Sequence, residues 1–357
     1  MVLPWLILTI LVLATVTAWR LPTVVRLREA RRPARPPAVR GSRRTGPCSA
    51  LILYGEGGDE LVHALAARGV RTVLRSADHL TVDILGNVAC IREQVTQRDL
   101  ADFGLVHIRD HRLPPGLLST ISCYLSAHRR TLVNGDSLGG ARSGLAAPSR
   151  LHQYVKLALF GENVPDTAHL PASRLSPSFD MLAARFGTPF VLKPMYACAG
   201  ELTRLIGEDA ELAETLRDRR HRGLLFLAQR YVPNNGTFLI WVLGAEVRLV
   251  IHRCSTDGSQ ITSRAGASHA TLFEPDGFDD DVKRTAVRCA DLFGYDIAAV
   301  TVVQDRVTRL WYVLGVNGSP AIGEGPFSTE VSRVYADFAA RRLRADVPSV
   351  TREGRQA

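Results

Sequence analysis

The chain opens on residues 2–19 (VLPWLILTILVLATVTAW), a run with no charged side chain and nothing more polar than threonine on any face. At 1.5 Å per residue this is about 27 Å of helix, enough to cross a bilayer core, with Trp5 and Trp19 placed as interfacial anchors. A cleaved signal peptide is the rival reading, but no basic segment precedes the apolar run. From residue 49 the pattern becomes that of a folded body. An apolar run at 49–54 (SALILY), helical spacing of Leu61, Ala64 and Leu65, and a return at 70–74 predict β-α-β. Strands at 104–108 and 130–134 with a helix between them extend this to a small α/β domain over 48–150.

Beyond residue 151 the pattern changes. Strands are expected at 191–194, 203–206, 224–232, 237–243, 246–252, 298–304 and 310–316, and helices at 177–186, 210–218, 282–292 and 329–343. That order predicts antiparallel sheets with helices packed on them, an α+β layout over 151–345, with a disordered tail at 346–357.

Charge changes the picture next. The chain has 357 residues and a net charge of +9. Residues 20–44 carry nine arginines against one acid, Glu29, a net of +8 that leaves +1 for residues 45–357. The folded part is nearly neutral, which gives no support to the basic face that nucleic-acid binding needs. The Arg/Pro-rich segment 20–47 reads as a solvated tether that would hold anionic lipid headgroups. With 1–19 as a single-pass anchor, the positive-inside rule places the folded domain on the cytoplasmic side of the cell membrane, with the lipid bilayer as a partner. Six scattered cysteines without a CxxC pair fit a reducing compartment.

Several segments resemble the ATP-grasp superfamily, most closely its RimK-type carboxylate–amine ligases. Val133-Asn134, Lys156 and residues 163–167 (NVPDT) look like the passage leading into the ATP-grasp domain. Val191-Leu192-Lys193-Pro194 looks like the strand carrying the second nucleotide lysine. Residues 227–232 (LAQRYV) look like the hinge strand against the adenine, and 313–320 (VLGVNGSP) like the closing strand. The resemblance implies an ATP-grasp fold after a small α/β domain, and ATP as cofactor. It implies nucleotide contacts from Lys156, Lys193, Gly200, Gln229, Tyr231 and Val232, and substrate or phosphate contacts from Arg253 and Arg264. It implies a small-molecule or peptide carboxylate as substrate if the protein is active.

The chain has only three lysines, Lys156, Lys193 and Lys283, among 44 basic residues. Two of them fall at the family's nucleotide positions, where a compact ammonium is not replaceable by a guanidinium fork. The loop after Lys193, 195–203 (MYACAGELT), keeps one glycine, Gly200. The metal pattern has lost more: its Asp falls at Thr301 and its Glu at Gly315, leaving Asn317 as the metal ligand candidate. The polar positions after the hinge hold Thr237 and Leu239. One neutral amide oxygen does not hold Mg²⁺ against water, so Mg²⁺ is doubtful. Neighbours that might substitute are Asp305, at a turn, and Glu324, whereas Asp296 has the wrong strand parity. Two readings follow: an active ATP-dependent carboxylate–amine ligase, or a catalytically silent binding or scaffold module.

Overall fold

Ser49–Leu53 (β1) is buried at all five positions, as expected of a central strand covered on both faces. A computed structural model of the chain describes residues 49–54, 58–86, 88–109, 113–135, 149–196, 202–218, 223–255, 268–323 and 325–345. The anchor, the tether and the tail expected from the sequence lie outside the described residues, as do Gly200, Arg264 and Glu324. Among the described residues no helix is long and apolar enough to cross a membrane.

The first sheet is parallel, with strand order β2-β1-β5-β6, where β2 is Arg71–Arg75, β5 Leu105–Ile108 and β6 Thr131–Val133. Helices α1 (Asp59–Ala66) and α2 (Pro115–Ala127) complete it. Asp59 and Glu60 open α1 with negative charge at the end of the helix that favours it. A hairpin, β3 (Leu80–Leu85) with β4 (Val88–Glu93), interrupts the alternation and was not anticipated.

Helix α3 (Arg150–Leu159), capped by the Ser149 hydroxyl on the His152 N–H, leads into a second sheet. Its order is β7-β10-β8-β9, all antiparallel, from Thr167–His169, Phe226–Arg230, Phe190–Pro194 and Arg204–Ile206 respectively. Helices α4 (Ala172–Leu175), α5 (Phe179–Phe186) and α6 (Asp209–Arg217) accompany it, and Leu182, Phe186 and Leu212 pack beneath Leu192 and Ala228. The opposite face carries Lys193, Leu227 and Gln229.

The third sheet has order β13-β12-β11-β14-β15, where β11 is Thr237–Leu243, β12 Glu246–Ser255, β13 Ser268–Phe273, β14 Ile297–Gln304 and β15 Trp311–Asn317. One face, with Ile240, Val242, Ala298 and Val300, packs on α7 (Asp280–Leu292), which Asp279 caps through the Asp281 and Val282 N–H groups. The other face, with Trp241, Leu243, Ile297 and Ala299, joins the core of the first sheet beneath α8 (Ser328–Ala345). Strand alternation thus divides β14 between two cores.

Asn134 ties the first sheet to the third. Held at φ +58, it accepts from the Ile297 N–H (2.8 Å) and donates to the carbonyls of Ile297 (3.0 Å) and Gly318 (2.5 Å), while its own N–H donates to Asp296 (2.8 Å). Its side chain behaves as one more strand residue paired with Ile297. Asp296, which also pairs with Arg342, is engaged in this junction. Replacing Asn134 with Ala removes three buried hydrogen bonds and leaves a β-carbon in the left-handed region. A loss of about 3 kcal/mol in urea unfolding is expected. A loss below about 1 kcal/mol would show that the junction is held elsewhere.

Candidate functional site

Lys193 sits in β8 with 7% of its surface exposed, opposite Leu227 of β10. Its ammonium donates to the Tyr154 hydroxyl and to Gln229 Oε1 (2.7 Å), and lies 4.6 Å from the Tyr154 ring centroid. Tyr154, on α3, spends its one proton on the Leu314 carbonyl of β15 (2.6 Å), so its oxygen must accept from Lys193. On the other side the Gln229 amide donates to Thr167 Oγ (2.7 Å), whose proton goes to the Pro165 carbonyl (2.7 Å). Donors and acceptors run in one direction out of Lys193 on both arms. The chain links β15, α3, β8, β10 and β7. Burial, reinforced by the Arg150 guanidinium, pushes the Lys193 ammonium well below its usual lysine range, and burial raises the Tyr154 phenol to about 12.

The second cation at this place is Arg150, at the first turn of α3. It donates to the Pro194 carbonyl (3.4 Å), and its backbone N–H donates to the Met195 carbonyl (2.8 Å). The structure does not bring Lys156 here. It lies two residues, hence about 200° of helix, from Tyr154, and its ammonium stands 4.8 Å from the Phe293 ring centroid beside α7. Arg150 and Tyr154 were missed because α3 was not recognised; their i, i+4 spacing was the available signal.

Gln229 lies within β10, and Tyr231 and Val232 follow the end of the strand. Val232 is buried and its carbonyl accepts from the Asn234 amide (2.7 Å), which in turn accepts from the Gly236 N–H (2.9 Å). Gly236 is required: at φ +118, a β-carbon would stand 2.5 Å from the Arg253 carbonyl. Arg253 itself is exposed on β12, opposite Thr237.

Thr301 pairs with both Leu239 and Gly315, so these three side-chain positions form one row across β11, β14 and β15. Asn317 is exposed, and its carbonyl oxygen accepts from the Ser319 N–H (2.9 Å) as a turn cap. Asp305 is buried, takes the Val307 and Thr308 N–H groups (2.8 and 3.2 Å) and faces Arg230 at 3.7 Å, so it closes its own turn. The row holds a single hydroxyl, and Asn317 adds one amide, where Mg²⁺ wants carboxylates. Among the described residues no group of three His, Cys, Asp or Glu comes together to hold a metal. These residues do not fit Mg²⁺.

Between the depressed Lys193 value and the ordinary 10.5, the unfolded chain holds a proton that the folded one has released. Stability contributed by this group therefore rises with pH across that window, by up to about 1.4 kcal/mol per pH unit. Lys193→Met should lack that rise in urea unfolding followed from pH 6 to 10. Tyr154→Phe, which leaves the Leu314 carbonyl without its donor, should cost about 1–3 kcal/mol. Parallel pH curves for wild type and Lys193→Met would contradict the burial argument.

Residues 171–331 match the RimK-like ATP-grasp domain family. The fold is similar to that of the ATP-grasp ligase PsnB, complexed with minimal precursor, Mg and ADP: 16% identity, 84% of this chain and 99% of that one covered, TM-score 0.61. It is similar to a Chryseobacterium gregarium RiPP-associated ATP-grasp ligase bound to ADP and a leader and core peptide, at 13% identity, 84% and 98% coverage and TM-score 0.60. A RimK domain ATP-grasp protein from Sphaerobacter thermophilus matches at 20% identity, 82% and 99% coverage and TM-score 0.55. At these identities the likeness shows the fold. No curated protein sequence matches the chain.

Proposed function

We infer, for a chain that is a RimK-type relative within the ATP-grasp superfamily, that the face of its second sheet carrying Lys193 and Gln229 binds ATP in the manner of a carboxylate–amine ligase. The observation that carries this reading is Lys193, a buried amine held by Tyr154 and Gln229 on the strand that precedes the hinge. Lys193 and Arg150 would receive the phosphates, and the 229–232 segment would line the adenine. ATP supplies the activating phosphoryl group. The residues of this chain orient it and keep the cationic side chains aimed at its charge. A peptide carboxylate is the substrate this reading favours, since the structural relatives bind precursor peptides. On the same reading residues 1–19 would anchor the chain in a bilayer and the tether 20–47 would connect that anchor to the folded body, divided at about residue 150.

A second reading, a silent nucleotide-binding module, is favoured by the Leu239–Thr301–Gly315 row, which offers no carboxylate. Thermal unfolding of the full chain in detergent with ATP separates the two, because a ligand of the native state alone raises stability by RT ln(1 + [L]/Kd). A rise that needs Mg²⁺ supports the ligase, one indifferent to Mg²⁺ supports the module, and no rise overturns both. Lys193→Met should abolish the rise.

Phosphate binding favours the charged amine, so ATP uptake draws in a proton wherever Lys193 has lost one. Affinity should fall as pH rises above the depressed Lys193 value, by up to about tenfold per unit. Calorimetry in buffers of different ionisation enthalpy reads that proton directly. An affinity flat from pH 6 to 9 would remove Lys193 from the phosphate site.

A further inference from the structure

The β3–β4 hairpin is apolar where it leaves the body of the fold. At its open end one face turns inward: Leu80 and Ile91 join the core of the first sheet, and Glu93 is buried beside them. Toward the turn that face continues with Ile84 and Ala89, now exposed, and the other face with Leu85 and Val88. Ile84 is 74% exposed, Leu85 75% and Val88 59%. Pairing sets Leu85 opposite Val88 and Ile84 opposite Ala89, so the tip carries apolar side chains on both faces at once. Residues 84–89 (ILGNVA) include no charged side chain.

The fold does not need these side chains. The base alone holds the hairpin: Glu93 accepts from Arg75 (3.2 Å) and from the Val95 and Thr96 N–H groups (2.8 and 2.7 Å), and its own N–H donates to the Arg98 carbonyl (2.9 Å). Polar residues at 84, 85 and 88 would make the same turn and stay soluble, whereas exposed apolar side chains gathered on a projecting hairpin mark a contact. A single apolar face would suit a groove on another protein. Apolar side chains on both faces suit surroundings that are apolar on every side.

Two further observations point to lipid. Asp83 and Arg92 pair across the strands at 3.7 Å and mark where polar residues begin. From Asp83 to Gly86 the strand runs about 10 Å, close to the depth at which interfacial elements bury their apolar side chains, about 5–10 Å. The base of the hairpin also lies beside the point where the chain enters the fold, since Arg98 donates to the Ser49 hydroxyl (3.3 Å), at the first described residue. With residues 1–19 as an anchor, the tether 20–47 spans at most about 100 Å when drawn out. So long a tether keeps the body near the bilayer without choosing which side of it meets the lipid. A second contact makes that choice, at the high local concentration the anchor supplies.

We propose that residues 84–89 form a membrane-insertion tip, which places Ile84, Leu85 and Val88 in the headgroup–acyl boundary of the bilayer and so orients the folded body on it. The proposal takes its partner from the anchor reading of residues 1–19 and adds to it a second contact that can be tested apart from the first.

The test transfers the full chain from detergent into vesicles of phosphatidylcholine and phosphatidylserine, with or without bromine on the acyl chains. Leu85→Trp is compared with Leu159→Trp, a leucine of similar exposure (79%) on α3, each as the difference from wild type and its four native tryptophans. The tip tryptophan should emit blue-shifted light that brominated lipid quenches at least about twofold, and the α3 tryptophan should be quenched little. Leu85→Asp, at an exposed position, should fold and still float with the vesicles through the anchor. Flotation without quenching of the tip, or equal quenching at both positions, overturns the tip and leaves the anchor. Flotation lost in Leu85→Asp alone supports the tip and sinks the anchor reading, and a wild type that does not float overturns both. A wild-type dimer in detergent that Leu85→Asp dissociates would assign the tip to a second copy and overturn the bilayer contact.

Discussion

A buried amine with a direction to its hydrogen bonds sets the terms for the middle of this molecule. Lys193 cannot sit at 7% exposure unless its protons are accepted, and the acceptors come from two different elements, Tyr154 on α3 and Gln229 on β10. Because Tyr154 gives its own proton to Leu314, α3 must lie against β15 at one height and no other. The Gln153 side chain enforces the same register by accepting from the Val316 N–H (3.0 Å). Two sheets that share no strand are thus held at fixed separation by a helix between them. A fully satisfied polar chain specifies such an arrangement more narrowly than apolar contact would.

The junction at the other end of the third sheet uses the same device with different chemistry. Asn134 grips Ile297 and Gly318, Arg109 grips Pro320 and Ile322, and Arg68 pairs with Asp337 of α8 at 2.8 Å. The loop 318–322 is therefore positioned by the carboxyl ends of β5 and β6, not by its own sequence. Its neighbour row, Leu239–Thr301–Gly315, carries no comparable constraint. The architecture is maintained by side chains that bond backbone, and the positions where metal chemistry would lie are free of that duty.

What the sequence disclosed follows from how each element is solvated. β1, β14, α7 and α8 were legible because their buried positions keep the period of the element, and β14 even shows both cores in its alternation. Helix α3 was not, since Val155, Leu159 and Phe160 are exposed at 52%, 79% and 64% and blur the 3.6-residue stripe. Without the helix, Lys156 was taken from its place in the family resemblance and Arg150 was passed over. The β3–β4 hairpin failed for a related reason: Ile84, Leu85 and Val88 are apolar yet exposed, so no inward-facing pattern marked them. Tyr154 illustrates a harder limit, because nothing local to a tyrosine tells that its partner lies 39 residues away.

The scarcity of lysine takes on a different meaning from the structure. Lys283 pairs with Asp280 and bonds the Pro275 carbonyl at the start of α7, Lys156 lies over an aromatic ring, and Lys193 alone is buried within a polar chain. An arginine at 193 would have to keep its charge and find acceptors for five N–H groups, where the site offers two. A lysine can release a proton and still make both bonds, since a neutral amine keeps two donors. On the proposed reading it would regain that proton when a phosphate supplied the third acceptor. Burial and the proposed phosphate binding place different demands on this residue, one on each protonation state, and lysine is the cation that meets both.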